Sequence, residues 1–124
     1  MKYVLLAAAM LFGSMAAAHE LTPTYPKFNP SYLTGISVTT MKLWNRREDA
    51  SYYELALYDE EWLPLPFAAT DKLIKLEYLE SKSFEVYIRD SDLNKLEYIC
   101  TTSKLLKDDV DSTGITSRIC SRVK

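Results

Sequence analysis

The chain has 124 residues, 48% hydrophobic and 12% aromatic, with two cysteines, one histidine and a formal charge of −2. That length supports one modest core and leaves no room for a second domain. Acidic and basic residues are interspersed, which excludes the basic surface that nucleic acid or an anionic membrane would need.

The N-terminus reads as a cleavable export signal over residues 1–18. Lys2 supplies the positive charge, Val4 to Phe12 an unbroken apolar run, and Ala16, Ala17 and Ala18 the small side chains of a cleavage site. The apolar run is well short of the roughly 20 residues that span a bilayer. Cleavage after Ala18 leaves a mature chain of 106 residues whose charge is −3, because Lys2 is lost with the signal. It also makes His19 the new N-terminal residue. A terminal histidine offers an α-amine and an imidazole Nδ1 to copper, so His19 is the one candidate metal ligand. As the sole histidine, it would have to recruit carboxylate or thioether partners, which suit copper less well.

Residues 19–30 carry Pro23, Pro26 and Pro30. These delete backbone donors and fix φ, so this stretch is expected as an extended lead-in or edge and not as a central strand. A domain over residues 31–124 follows, in which the dominant hydrophobic period is two. From Ile36 to Trp44 the apolar phase moves from Ile36 and Val38 to Met41 and Leu43, and a phase shift of one residue predicts a bulge. Tyr53, Leu55 and Leu57 alternate with Glu54, Ala56 and Tyr58; Phe84, Val86 and Ile88 alternate with Glu85, Tyr87 and Arg89. Both read as half-buried strands.

Further strands are predicted over Leu73 to Leu79, where the spacing of Leu73, Leu76 and Leu79 also fits a helix, over Lys95 to Thr102, and over Thr116 to Val123. Turn signals separate them at Asn45 to Asp49, Pro64 to Pro66, Asp90 to Asn94 and Lys107 to Gly114. About seven such segments predict an all-β, antiparallel sandwich.

Cys100 and Cys120 are the only cysteines, and in an exported chain an even count predicts a disulfide with a unique pairing. Catalytic templates fail on inventory. One histidine near a terminus makes no Ser/His/Asp set, three glycines make no phosphate loop, and Asp108, Asp109 and Asp111 lack the spacing of a calcium loop. No cofactor is expected. Asp59, Glu60 and Glu61 beside Trp62 read as an acidic turn. The chain is rich in tyrosine, and Tyr52, Tyr58 and Tyr87 fall on the polar phase of their strands with Trp62 close in sequence. Exposed aromatics of this kind form protein-binding faces.

The order of elements is similar to the immunoglobulin-like domain at the N-terminus of periplasmic pilus-assembly chaperones. The residues that carry the resemblance are Asn45 at the end of the second strand, Tyr52-Tyr53-Glu54-Leu55 opening the third, Pro66-Phe67 and Leu76 in the middle, Phe84 to Ile88 as strand E and Tyr98-Ile99-Cys100 as strand F. Tyr98 has the spacing of a tyrosine corner, in which the hydroxyl bonds back to nearby backbone. The strand B cysteine of antibody domains is absent, so the resemblance implies a Cys100–Cys120 link between the last two strands. It further implies binding by strand addition at the last strand, where Ile115, Ile119 and Val123 share one face. The single domain expected here and the lack of a mappable basic clamp depart from the family.

The expected function is that of an exported, non-enzymatic interaction module whose partner is another protein. Two alternatives are a small structural component of a virion or surface appendage, and copper binding through His19.

Overall fold

The computed structural model describes residues 19–104 and 116–123. The expected signal, Asp108, Asp109, Asp111, the turn at 107–114 and Ile115 lie outside the described residues. Among the described residues, nine strands and one short helix run in the order β1 (Glu20–Thr22), β2 (Asn29–Pro30), β3 (Ile36–Trp44), β4 (Tyr52–Asp59), β5 (Ala68–Ala69), β6 (Leu73–Lys75), β7 (Ser81–Arg89), α1 (Asp90–Leu93), β8 (Leu96–Lys104) and β9 (Arg118–Arg122). They form two antiparallel sheets, β1-β3-β7-β5 with β2 also on β3, and β6-β4-β8-β9.

The alternation that predicts the strands also builds the core. Met41 and Leu43 from β3, Phe84, Val86 and Ile88 from β7, Tyr53, Leu55 and Leu57 from β4, and Ile99 from β8 point inward and are almost fully buried. Burying a side chain of this size contributes ~1.5–3 kcal/mol, so this set is the main driving force of the fold. Leu96, Ile74 and Leu76 complete the cluster.

Strand β3 corrects the expected bulge. Its pairing with β7 runs without a break from Ile36 opposite Arg89 to Trp44 opposite Ser81. The inward residues are Ser37, Thr39, Met41 and Leu43, so the first two inward positions are polar and Ile36 and Val38 face outward. The hydroxyls tolerate burial because each has an acceptor: Ser37 Oγ donates to Asp90 Oδ1 at 2.5 Å and Thr39 Oγ1 donates to the Lys27 carbonyl at 2.9 Å. The apparent phase shift is a change in the chemistry of the inner face.

The predicted strand at 73–79 is also shorter than expected. It stops at Lys75, and residues 77–80 make a tight turn in which Glu80 N–H donates to the Glu77 carbonyl. Leu79 adopts φ +64° there, a conformation no strand permits. The turn signal at Asp90 to Asn94 is one turn of helix, α1, with Asp92 paired to Arg89 at 2.7 Å.

The proline-containing lead-in changes sheets. Its first part, β1, pairs with the end of β3, and β2 pairs with the beginning of β3. Between them the chain visits the other sheet, where the Thr24 carbonyl accepts Arg122 N–H at 3.0 Å and the Pro23 carbonyl accepts Ser121 Oγ at 2.7 Å. The lead-in thereby buttresses the C-terminal end of β9.

Candidate protein-interaction face

Strand β9 lies at the edge of the four-stranded sheet. Its backbone bonds to β8 come from alternate residues: Ser103 N–H donates to the Ser117 carbonyl and Val123 N–H to the Glu97 carbonyl, with Thr101 opposite Ile119 and Ile99 opposite Ser121 in the same register. Arg118, Cys120 and Arg122 therefore direct their backbone groups away from β8. The Arg122 N–H is used by Thr24. Arg118 and Cys120 present theirs to the edge, the arrangement that strand addition requires.

The outer face beside this edge is ordered in rows by the pairing register. One row is Tyr58, Tyr98 and Arg122; the next is Ala56, Cys100 and Cys120; the third is Glu54, Thr102 and Arg118. The disulfide joins the two opposed cysteines of the middle row, linking β8 to β9. Over the first row lies Trp62, stacked on Tyr98 with ring centroids 4.0 Å apart and planes 6° from parallel, and tilted against Tyr58 at 5.8 Å. The Arg118 guanidinium sits 4.9 Å from the Trp62 ring and 5.9 Å from the Tyr58 ring, a cation–π arrangement.

Trp62 reaches this position through an unusual backbone. The acidic residues before it form a turn in which Asp59 Oδ1 accepts the Glu61 and Leu63 amides at 2.9 Å each, while Trp62 N–H donates to the Asp59 carbonyl at 3.0 Å. Trp62 closes the turn at φ 65°, a conformation that costs a bulky residue on the order of 1 kcal/mol or more. Stacking on Tyr98 offsets that cost. Trp62 remains 43% exposed, so the cluster still offers surface to a partner.

Not every aromatic predicted for a binding face joins this cluster. Tyr52 lies on the same outer face at the far end of β4, with Lys75 Nζ 6.0 Å from its ring. Tyr87 lies on the other sheet, where its hydroxyl donates to Glu85 Oε2 at 2.8 Å. Of the apolar trio assigned to the last strand, Ile119 and Val123 are half-buried and pack against the core, and Ile115 lies outside the described residues. Tyr98, which has the spacing of a corner, faces outward and stacks on Trp62. Its outward position follows from alternation with Ile99, the signal that would have placed it beside Tyr58. Arg118, which no sequence motif singles out, proves central.

The inner side of β8 and β9 is held by a buried polar network. His19, 3% exposed, packs its ring on Tyr53 at 4.6 Å. Its Nε2 lies 3.0 Å from the Thr101 carbonyl and 2.9 Å from Thr101 Oγ1, and its Nδ1 lies 3.2 Å from Ser117 Oγ. Arg47 donates to Ser103 Oγ at 3.1 Å and forks onto both carboxylate oxygens of Asp49 at 2.6 and 2.8 Å. Asn45 donates to the carbonyls of Ala50 and Leu76, and its Oδ1 accepts Arg47 N–H and the Tyr53 hydroxyl. Burial lowers the His19 pKa to about 4, with the Thr101 backbone bond opposing and the Arg47 charge reinforcing that shift. Burial likewise pushes Tyr53 up to about 12. Because both ring nitrogens of His19 are engaged by the protein, chelation of copper through Nδ1 would require the ring to leave its pocket. Among the described residues, no three His, Cys, Asp or Glu side chains gather into a metal-sized group.

No protein-family model matches this chain, and no curated protein matches it. Among solved structures, the chain is similar to the E. coli chaperone DraB at a TM-score of 0.64 and 19% sequence identity, over 86% of this chain and 53% of that one. The chain thus spans about half the length of that structure. At this identity the likeness is one of fold, an immunoglobulin-like sandwich resembling that of the chaperone.

Proposed function

We propose that this protein is an exported, non-enzymatic interaction module of the periplasm or cell exterior, freed of its signal after Ala18, which binds another protein by pairing an extended segment of it to β9. The observation that supports the reading is the edge itself, where Arg118 and Cys120 turn their backbone groups away from β8. The Trp62, Tyr58 and Arg118 cluster lies beside that edge and supplies side-chain contacts to the same partner. The likeness to a chaperone, a protein-binding protein and not an enzyme, agrees with this reading, and so does an oxidised disulfide.

A photoreactive residue placed at Arg118 and, separately, at Lys82 on the opposite sheet tests the proposal in the native host. Cross-linking to another polypeptide from position 118 and not from 82, with slowed amide exchange at Arg118 and Cys120 in the complex, is the expected result. Cross-links from position 82 alone, or unprotected β9 amides, would overturn it. Cross-links only between copies of this chain would favour a structural component of a surface assembly.

A further inference from the structure

We propose that the Cys100–Cys120 disulfide is a polarised exchange site, in which Cys120 is the sulfur attacked by an outside thiol and Cys100 is the sulfur that leaves. Thiol–disulfide exchange proceeds in line: the incoming thiolate approaches one sulfur from the side opposite the other. Cys100 lies on β8, an interior strand, with Ala56 of β4 on one side and Cys120 on the other. An attack on Cys100 would have to come across β4, where Ala56 and Tyr58 occupy the outer face, and Cys100 is 0% exposed. Cys120 lies on the edge strand and is partly exposed. The line of attack on it runs in from the open flank of β9.

The third boundary is overhead. Arg118 stands in the row before the disulfide, yet its guanidinium reaches the rings of Tyr58 and Trp62 at the row beyond it. Its side chain therefore crosses the disulfide row, and Trp62 extends the cover over Tyr98. This cap leaves the edge as the approach.

The steps balance with a low-molecular-weight or protein thiol as reductant. A thiolate RS⁻ bonds to Cys120 Sγ, the S–S bond breaks, and its electron pair leaves on Cys100 Sγ, which takes a proton from solvent. A second thiolate attacks the R-group sulfur of the mixed disulfide, RSSR forms, and Cys120 departs as thiolate. The reverse sequence, starting from RSSR, forms the bond in the oxidising compartment.

The test uses the oxidised mature chain incubated with reduced glutathione under native conditions, quenched in acid, alkylated after denaturation and mapped by peptide mass spectrometry. Glutathione on Cys120 with the alkyl label on Cys100, in at least tenfold excess over the opposite pattern, is expected. An even distribution, an excess on Cys100, or no adduct until the chain is unfolded would overturn the proposal, as would the same preference persisting in denaturant. Trp62→Ala should raise the native exchange rate several-fold while keeping Cys120 as the adduct site. An unchanged rate in that variant would overturn the proposal.

Discussion

The indole of Trp62 lies flat on the phenol of Tyr98, 4.0 Å between centroids, although the two residues belong to different elements, a turn and strand β8. The turn holds Trp62 in a left-handed conformation, so the stack and the backbone strain are coupled. Aromatic pairs of this kind contribute about 0.5–1.5 kcal/mol beyond their burial. Trp62→Ala and Tyr98→Ala should each lower stability by about 1 kcal/mol, with a coupling near that size in the double-mutant cycle. Urea unfolding of the four proteins measures it, and a coupling of zero would mean that the stack does not compensate the turn.

Asn45 and Tyr53 make a second pairing, inside the sandwich. Asn45 is 0% exposed and serves four backbone or side-chain groups at once. Asn45→Ala leaves the carbonyls of Ala50 and Leu76, the Arg47 amide and the Tyr53 hydroxyl without that partner, and should cost about 2–4 kcal/mol given the penalty for orphaned buried groups. Tyr53→Phe removes one donor and should cost only about 1 kcal/mol. Equal losses in the two variants, read from chemical denaturation, would contradict the network.

These two clusters show what was legible in the sequence. Strands β4 and β7 were readable because Tyr53, Leu55 and Leu57, and Phe84, Val86 and Ile88, keep apolar side chains on the buried phase throughout. Strand β3 was misread at Ile36 to Thr39 because its inward residues there are Ser37 and Thr39, and alternation records hydrophobicity, not hydrogen-bond partners far away in sequence. The same reason hid the network, since Thr101, Ser103 and His19 look like surface residues until Arg47 and Ser117 are brought to them. Of the interaction face, Tyr58 and Trp62 were visible. Tyr98 carries the spacing of a corner and Arg118 belongs to no motif, because the register that aligns them across β4, β8 and β9 is a tertiary fact.

Among the described residues, Leu79 is the other non-glycine residue in the left-handed region, at φ +64°, and it is 56% exposed. Its backbone is pinned from both sides: its N–H donates to the Asn45 carbonyl and its own carbonyl accepts the Trp44 indole N–H at 3.1 Å. Little apolar burial would be lost on truncation, while a β-carbon at this φ costs about 1 kcal/mol. Leu79→Gly should therefore raise stability by up to about 1 kcal/mol, whereas Leu79→Ala should not. Thermal melts of both variants distinguish them, and a destabilised glycine variant would show that the leucine side chain is held by contacts the turn depends on.

His19 should make the fold acid-sensitive. Its pKa falls from 6.5 to about 4 on folding, chiefly through burial, so between those values the unfolded chain binds a proton that the folded chain excludes. Stability is then complete above pH 6.5 and declines as pH falls toward 4, where the histidine contribution levels off at a loss of roughly 3 kcal/mol, from 1.36 kcal/mol per pKa unit. Protonation would also set the imidazolium against the Arg47 guanidinium, and the groups facing it from the other elements are the Thr101 and Ser117 oxygens and the Tyr53 ring. Denaturant titrations at pH 7, 5.5 and 4 on the parent and on His19→Gln, which keeps a neutral hydrogen-bonding side chain, isolate the effect. The parent should lose more stability than the variant across that window; parallel decline of the two would show that carboxylates, and not His19, set the acid limit.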